Sequence, residues 1–420
     1  MGTTGATFAG ALAMDIEIRP CRDQDELAEF ARVVQYVFAM NDQRDIDAEM
    51  SAMQADWTMC AFVDGRCVTT YGAFPFTVRL DGAPVAMGGV TQVGTLPAYR
   101  RRGLLRRVMQ AGLAQMRDRG QHYAILWASM GAIYQRFGYG LAANQLWYTF
   151  DPRLVGFAFP AETHGHIDLL TAEDAYPLIK PLYIEYATPR NLLIHRAAPL
   201  WHLNTLRPAK QGEPVYVAIH RDQDGALRGY IVYQTHDRES PEPGPSQLLT
   251  VKDFVALDMN AYRSLWEYIR HHDLVGEVRI WNALPEDDPA PDLLLEPRML
   301  NRKTHDAIWM RIVDVERAIP ARPYGARGEL TFAISGDDMC DWNNGTYLLE
   351  TDGTTTGVRR TGREPQLTMP INSLASLLSG MRSATHLWRA GRIEANDASG
   401  LTAADAIFKT HYAPHCPNDF

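Results

Sequence analysis

A short basic loop that ends in glycine separates a strand-like segment from an amphipathic helix. Val93–Leu96 closes an apolar run, and Pro97–Gly103 is polar and contains three consecutive arginines. From Leu104 onward the apolar residues recur at helical spacing, with Arg106 and Arg107 outside that face. A helix start attracts anions through its backbone N–H groups and dipole, and flanking arginines favour phosphate. The order strand, loop, helix predicts a phosphate site, and the alternative is a solvated basic turn before an ordinary helix.

The residues before this loop favour antiparallel hairpins next to a helix. Asp64-Gly65 and Asp81-Gly82 each stand between apolar runs, which is the pattern of tight two-residue turns. Asp23 precedes a run of helical periodicity and is a candidate helix cap. With the strand, helix and strand expected after the basic loop, these signals predict an α/β domain built on a mixed sheet.

The rest of the chain divides into two further domains. The first repeats the order of strand and helix patterns, but no glycine-ended basic loop follows its strand-like segment Gln247–Ala256. The last part combines four short strand patterns with two helical ones, which predicts an α+β domain. The expected divisions are a disordered leader over 1–14, an α/β domain over 15–155, its degenerate counterpart over 156–302 and the α+β domain over 303–420.

Composition narrows the classes of protein that fit this chain of 420 residues. It has 41 basic and 50 acidic residues, a net charge of −9, which argues against nucleic acid and suits cationic ligands. No apolar run reaches the roughly 18 residues of a membrane span. The five cysteines are odd in number and none forms a CxxC pair, so we expect reduced thiols in a cytoplasmic protein. The pairs His164/His166 and His271/His272 have no acidic or thiol partner at ligand spacing, so no metal site is predicted.

Several stretches resemble the Eis-type (enhanced intracellular survival) GNAT N-acetyltransferases. Arg100–Leu105 is similar to the Arg-x-x-Gly loop that binds the pyrophosphate of acetyl-coenzyme A, with Leu105 in place of a small residue. Trp127–Ser129 and Ile133–Gly140 resemble the motifs that follow in the same order. The resemblance to that family's sterol-carrier-like domain rests on Cys340–Asn343, Leu387–Arg392 and Ala413–Phe420. It covers nearly the whole chain.

The resemblance implies tandem GNAT folds, each a mixed sheet flanked by helices, and a C-terminal sterol-carrier-protein-like α+β domain. Residues 15–155 would form the active GNAT domain, 156–302 the degenerate one, and 303–420 the domain that delivers the catalytic chain end. The resemblance also implies a homohexamer, and Trp281 and Arg298 are candidate interface residues.

Acetyl-coenzyme A is the cosubstrate that the resemblance implies, without any metal. The strand before the loop would pair with the pantetheine arm, and the loop backbone would hold the pyrophosphate. Ser129, also expected to cap a short helix, and Met130, where the family more often has an acid, would flank the arm. The cofactor residues carried over in this way are Val93, Gly94, Thr95, Arg101, Arg102, Gly103, Leu104, Leu105, Arg106, Ser129 and Met130.

Two residues match the positions of the family's acid and base. Tyr134 would be the general acid, because a phenol with a pKa near 10 is protonated at neutral pH. The α-carboxylate of Phe420 would be the general base, usually through water. Asp419 beside it either attracts a cationic amine or faces water. The structural alternatives are a packing role for Tyr134 beside Phe137 and Tyr139, and a frayed tail for Phe420.

These residues imply an N-acetyltransferase for primary amines. The resemblance implies that the acceptor is a polyamine, an aminoglycoside-like compound or a lysine side chain. Any such amine must lose a proton before it attacks a thioester. A non-catalytic acyl-coenzyme A or lipid-binding module and a longer-chain acyltransferase remain alternatives. The sequence leaves open the natural acceptor, the acyl chain length and any lipid carried by the last domain.

Overall fold

The computed structural model describes residues 15–238 and 244–420, so the expected leader over 1–14 lies outside the described residues. The described chain divides into two compact units. The smaller unit contains residues 15–74 and 90–115, and the larger unit contains 75–89 and the described residues from 116 to 420.

The described residues form strands and helices in alternating groups. The strands are β1 Ile16–Arg19, β2 Cys60–Val63, β3 Arg66–Leu80, β4 Ala83–Thr95, β5 Tyr123–Trp127, β6 Gly140–Phe150, β7 His166–Thr171, β8 Tyr216–Arg221, β9 Leu227–His236, β10 Gln247–Ala256, β11 Val275–Trp281, β12 Lys303–Ile312, β13 Arg327–Ile334, β14 Gly345–Asp352, β15 Thr356–Arg360, β16 Leu367–Met369 and β17 Glu394–Ala395. The helices are α1 Gln24–Phe38, α2 Gln43–Ser51, α3 Leu104–Asp118, α4 Gly131–Gln135, α5 Ala172–Ala187, α6 Ala198–Leu200, α7 Met259–Arg270, α8 Ala290–Leu293, α9 Val315–Ala318, α10 Ile371–Leu378, α11 Ala384–Arg389 and α12 Ala398–Ile407.

In the smaller unit, β1, β2 and the first part of β3 form an antiparallel meander under α1. Asp64 and Gly65 turn β2 into β3 with φ angles of 47° and 76°, as the Asp-Gly pattern predicts. The predicted cap on α1 is confirmed, because an Asp23 carboxylate oxygen accepts from the Glu26 N–H at 3.0 Å. The buried ring of Phe30 anchors α1 on the meander.

The larger unit has a sheet with the strand order β5-β12-β6-β11-β10-β9-β8-β7. Only β10 and β11 run parallel among these neighbours, with α7 as their crossover. The sequence pattern does not predict β12, which lies between β5 and β6. Its first four residues are exposed and its last six are buried, so it lacks the alternation that identifies a strand.

A second sheet in the larger unit has the order β15-β14-β13-β16-β17. Its core combines Leu330 and Phe332 of β13 with Leu374 of α10 and Ile407 of α12. The four strands expected in the last domain are all present here. Within residues 15–238 and 244–420, no helix combines the length and apolar character that crossing a membrane requires.

Candidate active site

The basic loop of the smaller unit presents its backbone to solvent. Arg101 and Gly103 have φ angles of 62° and 77°, so the chain twice enters the left-handed region. The Arg107 N–H donates to the Gly103 carbonyl at 3.2 Å, which places the amides before Arg107 outside the helical ladder of α3. Arg100 Nε donates to the Thr95 carbonyl at 2.9 Å and ties the loop to the end of β4.

The surroundings of this loop fit a bound pyrophosphate. A Cβ placed on Gly103 would meet no atom within 4 Å, so the space in front of the backbone is open. Leu104 is buried and anchors the start of α3, while Arg101, Arg102 and Arg106 are exposed. A helix start with exposed guanidinium groups is a suitable anion site.

Strand β4 contains an irregularity just before the residues predicted to pair with pantetheine. Gln92 has a φ of 54°, which is unusual for a residue with a side chain, and its carbonyl accepts from Thr70 Oγ1 at 2.7 Å. A positive φ within a strand changes the direction of the backbone that follows, here that of Val93, Gly94 and Thr95. Sequence reasoning missed Gln92, because nothing in the local sequence signals a positive φ at this position.

Helix α4 carries the predicted acid in the larger unit. The expectation that Ser129 caps this helix is wrong, because Met130 occupies the cap position without any side-chain capping bond. Gly131 begins the helix with Trp309 packed where a Cβ would lie, so tertiary packing fixes the start. Ser129 and Met130 are both exposed.

Tyr134 is 6% exposed, and its ring packs edge-on against Tyr139 with the centroids 6.0 Å apart. The turn after it needs Gly138, which has a φ of 80° and whose Cβ position is filled by the Arg311 guanidinium. Burial raises the pKa of Tyr134 to about 12. The phenol therefore stays protonated across the physiological range and is a proton donor.

In the segment His415–Asn418, three residues are buried and Pro417 is half-buried, and the segment is hydrogen-bonded to the rest of the larger unit. Asn282 Nδ2 donates to the Cys416 carbonyl at 2.8 Å, and Trp127 Nε1 donates to the Asn418 carbonyl at 2.8 Å. Because Trp127 ends β5 and α4 follows shortly after, this contact brings the tail to the segment that carries the predicted acid. The alternative of a frayed tail does not describe these residues.

The last two residues differ in their surroundings. Phe420 is half-buried, and its ring packs edge-on against Phe76 with centroids 5.0 Å apart. The Phe76 ring in turn fills the position of a Cβ on Gly89. Asp419 is exposed, yet partial desolvation raises its pKa while the charge of Lys252 opposes that rise.

The second repeat has a different helix start at the position that matches the basic loop. Strand β10 is followed closely by α7, and Asp258 caps this helix by accepting from the Ala261 N–H at 2.8 Å. A carboxylate already occupies the helix N-terminus, so the repeat has no room there for a second anion.

The remaining predicted residues lie at the surface or in the core. Trp281 is 45% exposed and stacks on Trp147 at 5.3 Å, and Arg298 is exposed as well. The five cysteines are buried and none forms a disulfide. In the part of the chain that the structure describes, no three His, Cys, Asp or Glu side chains cluster as metal ligands would.

Comparisons with protein families match three regions of the chain. Residues 17–142 match an acetyltransferase (GNAT) domain, residues 192–312 match a second acetyltransferase (GNAT) domain, and residues 315–417 match a sterol carrier protein domain. The expected fold class, two GNAT domains followed by a sterol carrier protein domain, is thereby confirmed.

Relatives and solved structures extend this likeness along the chain. An uncharacterized N-acetyltransferase from Streptomyces griseus is 34% identical over 379 residues, 86% of this chain and 89% of that relative. The N-acetyltransferase Eis from Mycobacterium tuberculosis is 29% identical over 332 residues, 76% of this chain and 77% of Eis. The crystal structure of Eis1 from Mycobacterium abscessus has a TM-score of 0.84 at 28% identity, and the match covers 96% of this chain and 100% of Eis1. The chain therefore belongs to the Eis-type family of GNAT N-acetyltransferases and is an acetyltransferase.

Proposed function

We propose that this enzyme transfers an acetyl group from acetyl-coenzyme A to primary amines of polyamines, aminoglycoside-like compounds or lysine side chains. The observation that carries the proposal is the ordered tail, which holds Phe420 against Phe76 instead of leaving it in solvent. The family supplies the reaction type, since GNAT acetyltransferases use acetyl-coenzyme A. A net charge of −9 agrees in sign with a cationic acceptor.

The cosubstrate would contribute the activated acetyl thioester. Its pyrophosphate would be the anion that the basic loop binds. The backbone from Arg101 to Arg106 would hold that anion. Val93, Gly94 and Thr95, which follow the positive φ of Gln92, would pair with the pantetheine arm as an added strand does. Ser129 and Met130 are exposed beside α4 and would flank the arm.

Two proton transfers are assigned to residues of the larger unit. The α-carboxylate of Phe420 would accept a proton from the acceptor ammonium through a water molecule, which leaves a neutral amine able to attack. Tyr134 would donate its phenolic proton to the sulfur as that sulfur departs. The second proton that the acceptor nitrogen loses as the amide forms would return to the phenolate through water. Tyr134 holds the protonation state that its role needs at neutral pH, because its pKa is raised to about 12.

The direct test is thiol release from acetyl-coenzyme A in the presence of spermine, kanamycin and a lysine-containing peptide. We expect release that depends on the amine and saturates with at least one of these acceptors. A protein that binds acetyl-coenzyme A and never releases thiol would support the non-catalytic alternative. Faster release from a long-chain acyl donor would support the longer-chain acyltransferase.

The loop assignment predicts that Gly103→Val weakens acetyl-coenzyme A binding by about 2 kcal/mol, roughly thirtyfold in Kd. A β-branched residue strains the backbone at the Gly103 φ of 77° and moves the amides away from the phosphate. Gly120→Val is the matched control, because Gly120 has a φ of 74° and equally open surroundings but follows the end of α3. Calorimetry on both folded variants decides the matter, and an unchanged affinity for Gly103→Val would remove the loop from the site.

The assembly is proposed to be a homohexamer, as the family resemblance implies. The exposed Trp281, stacked on the half-buried Trp147, is a candidate contact for such an assembly, since aromatic residues are enriched at interfaces. We expect multi-angle light scattering to give a mass of six chains at micromolar concentration. A monomer under those conditions would contradict the proposal, and Trp281→Ser tests whether this surface contributes.

A further inference from the structure

A buried ion pair of the larger unit contacts the tail directly. Arg196 and Asp253 pair in a bidentate way, with Nη1 to Oδ2 at 2.5 Å and Nη2 to Oδ1 at 3.1 Å. Their side chains are only 1% and 2% exposed. The Tyr230 hydroxyl donates to the same carboxylate at 2.7 Å. Burying two charges is costly unless both are fully paired, so such a pair needs partners for its remaining polar atoms.

The third nitrogen of the guanidinium, Nε, is directed at the tail. Arg196 Nε donates to Asn418 Oδ1 at 3.0 Å, and the Asn418 side chain is fully buried. The guanidinium carbon lies 3.8 Å from the ring centre of Tyr183 and 4.8 Å from that of Trp201, which restricts its movement. With Trp127 bound to the Asn418 carbonyl, this one residue is held through both its side chain and its backbone.

We propose that Asp253 and Arg196 are positioning residues for catalysis: they fix Asn418 and thereby hold the α-carboxylate of Phe420, two residues further on, where it accepts the proton of the acceptor. This inference rests on the proposed function, because it needs that carboxylate as the base. Asp253 orients the guanidinium, the guanidinium holds the Asn418 amide, and the extended residues after Asn418 carry the carboxylate. A displacement of about 1 Å at the reacting group costs on the order of a hundredfold in rate, so a loose tail would be costly.

The experiment measures how the rate at one fixed pH depends on the basicity of the acceptor. A fixed pH keeps the charges of Asp419, in the tail, and of Lys252, which interacts with it, constant. A pH profile would titrate both of these groups as well. Spermine is an ammonium at neutral pH and needs the base. In a spermine analogue with terminal aminooxy groups, those groups are neutral at that pH, although the internal amines stay protonated, and they attack without prior loss of a proton. Loss of a positioned base therefore slows the first acceptor and spares the second, whereas a loss of folded enzyme slows both equally.

The decisive variants are Asn418→Ala, which removes the acceptor for Arg196 and the Nδ2 donor to Asn204 Oδ1 at 3.4 Å, and Asp253→Asn. We expect both to lower kcat with spermine by about tenfold or more, with the KM for acetyl-coenzyme A unchanged. With the aminooxy analogue their rates stay within about twofold of wild type. Asn418→Asp keeps an acceptor oxygen for Arg196 and is expected to recover most of the spermine rate. Circular dichroism and Tm establish folding, and Asn418→Ala carries the test if Asp253→Asn does not fold.

Asp288→Asn is the matched control for loss of a buried carboxylate. Asp288 accepts from the hydroxyls of Tyr148 and Tyr262 at 2.9 and 2.7 Å, and in the described chain it has no hydrogen bond to residues 413–420. It is expected to lower Tm and to leave the ratio of the two acceptor rates unchanged.

A form extended by one alanine after Phe420 distinguishes failure of the proposed base from failure of the positioning role alone. Full activity of that form would overturn the proposed base, and the positioning role with it. A slow extended form together with a fully active Asn418→Ala would overturn only the positioning role. Equal losses with both acceptors in the folded Asn418→Ala variant would also overturn it.

Discussion

An enzyme extended by a short tag after Phe420 is expected to lose about a hundredfold in turnover with a polyamine while it keeps its affinity for acetyl-coenzyme A. The added peptide bond converts the carboxylate into a neutral amide that accepts no proton from an ammonium. The extra residues also start beside the Phe420 ring, which packs on Phe76. Initial rates for wild type and the tagged form measure this effect.

Two further forms complete that experiment. The same tag placed before Met1 is the control and is expected to leave turnover unchanged. Deletion of Phe420 moves the terminal carboxylate back by about 3.5 Å along an extended chain and is expected to be as harmful as the tag. A C-terminally tagged enzyme with full activity would show that Phe420 is not the base, and this mechanism would have to be abandoned.

Tyr134→Phe is expected to lower kcat by about a hundredfold and to spare both stability and acetyl-coenzyme A binding. Among the described residues no hydrogen bond to the Tyr134 hydroxyl is present, so its removal breaks no internal contact. Because the pKa is raised to about 12, the phenol is protonated in the folded enzyme at every pH below that value. The loss is therefore expected to be the same from about pH 6 to pH 9.

Tyr139→Phe is the matched control for this substitution. Tyr139 packs against Tyr134, is fully buried and has been assigned no part in the chemistry. We expect it to keep full turnover, with any cost appearing in Tm. If both variants retained full activity, Tyr134 would be a packing residue and another group would have to protonate the sulfur.

Local signals were sufficient for several elements of the smaller unit, which contains the basic loop. The Asp64-Gly65 turn and the Asp23 cap depend on residues within four positions of one another, so the sequence alone predicts them. Strand β12 was missed, because its pattern of exposed then buried residues arises from the two strands that flank it in space. The positive φ of Gln92 has the same kind of origin, since tertiary packing overrides the residue's own preference.

The residues of the candidate site also divide into those that the local sequence predicts and those that depend on distant contacts. The loop around Gly103 is predictable from charge and helix position, whereas Tyr134 and Phe420 were identified only through the family resemblance. The residues that hold the tail were not predicted at all. Arg196 lies 57 positions from Asp253 and 222 from Asn418, and no periodicity or motif connects residues so far apart.

The contacts of the tail also bear on how such proteins can be recombined. Arg196, Asp253 and Asn282 all lie within residues 192–312, the second acetyltransferase domain, whose helix α7 is capped by Asp258 rather than left open for phosphate. If Phe420 is the base, a domain that has no glycine-ended basic loop holds in place the group that performs the proton transfer. In a chimera with a relative, exchange of this domain without the matching last eight or so residues would remove the contacts that hold the tail. Each domain would still fold, but the chimeric enzyme would lose turnover.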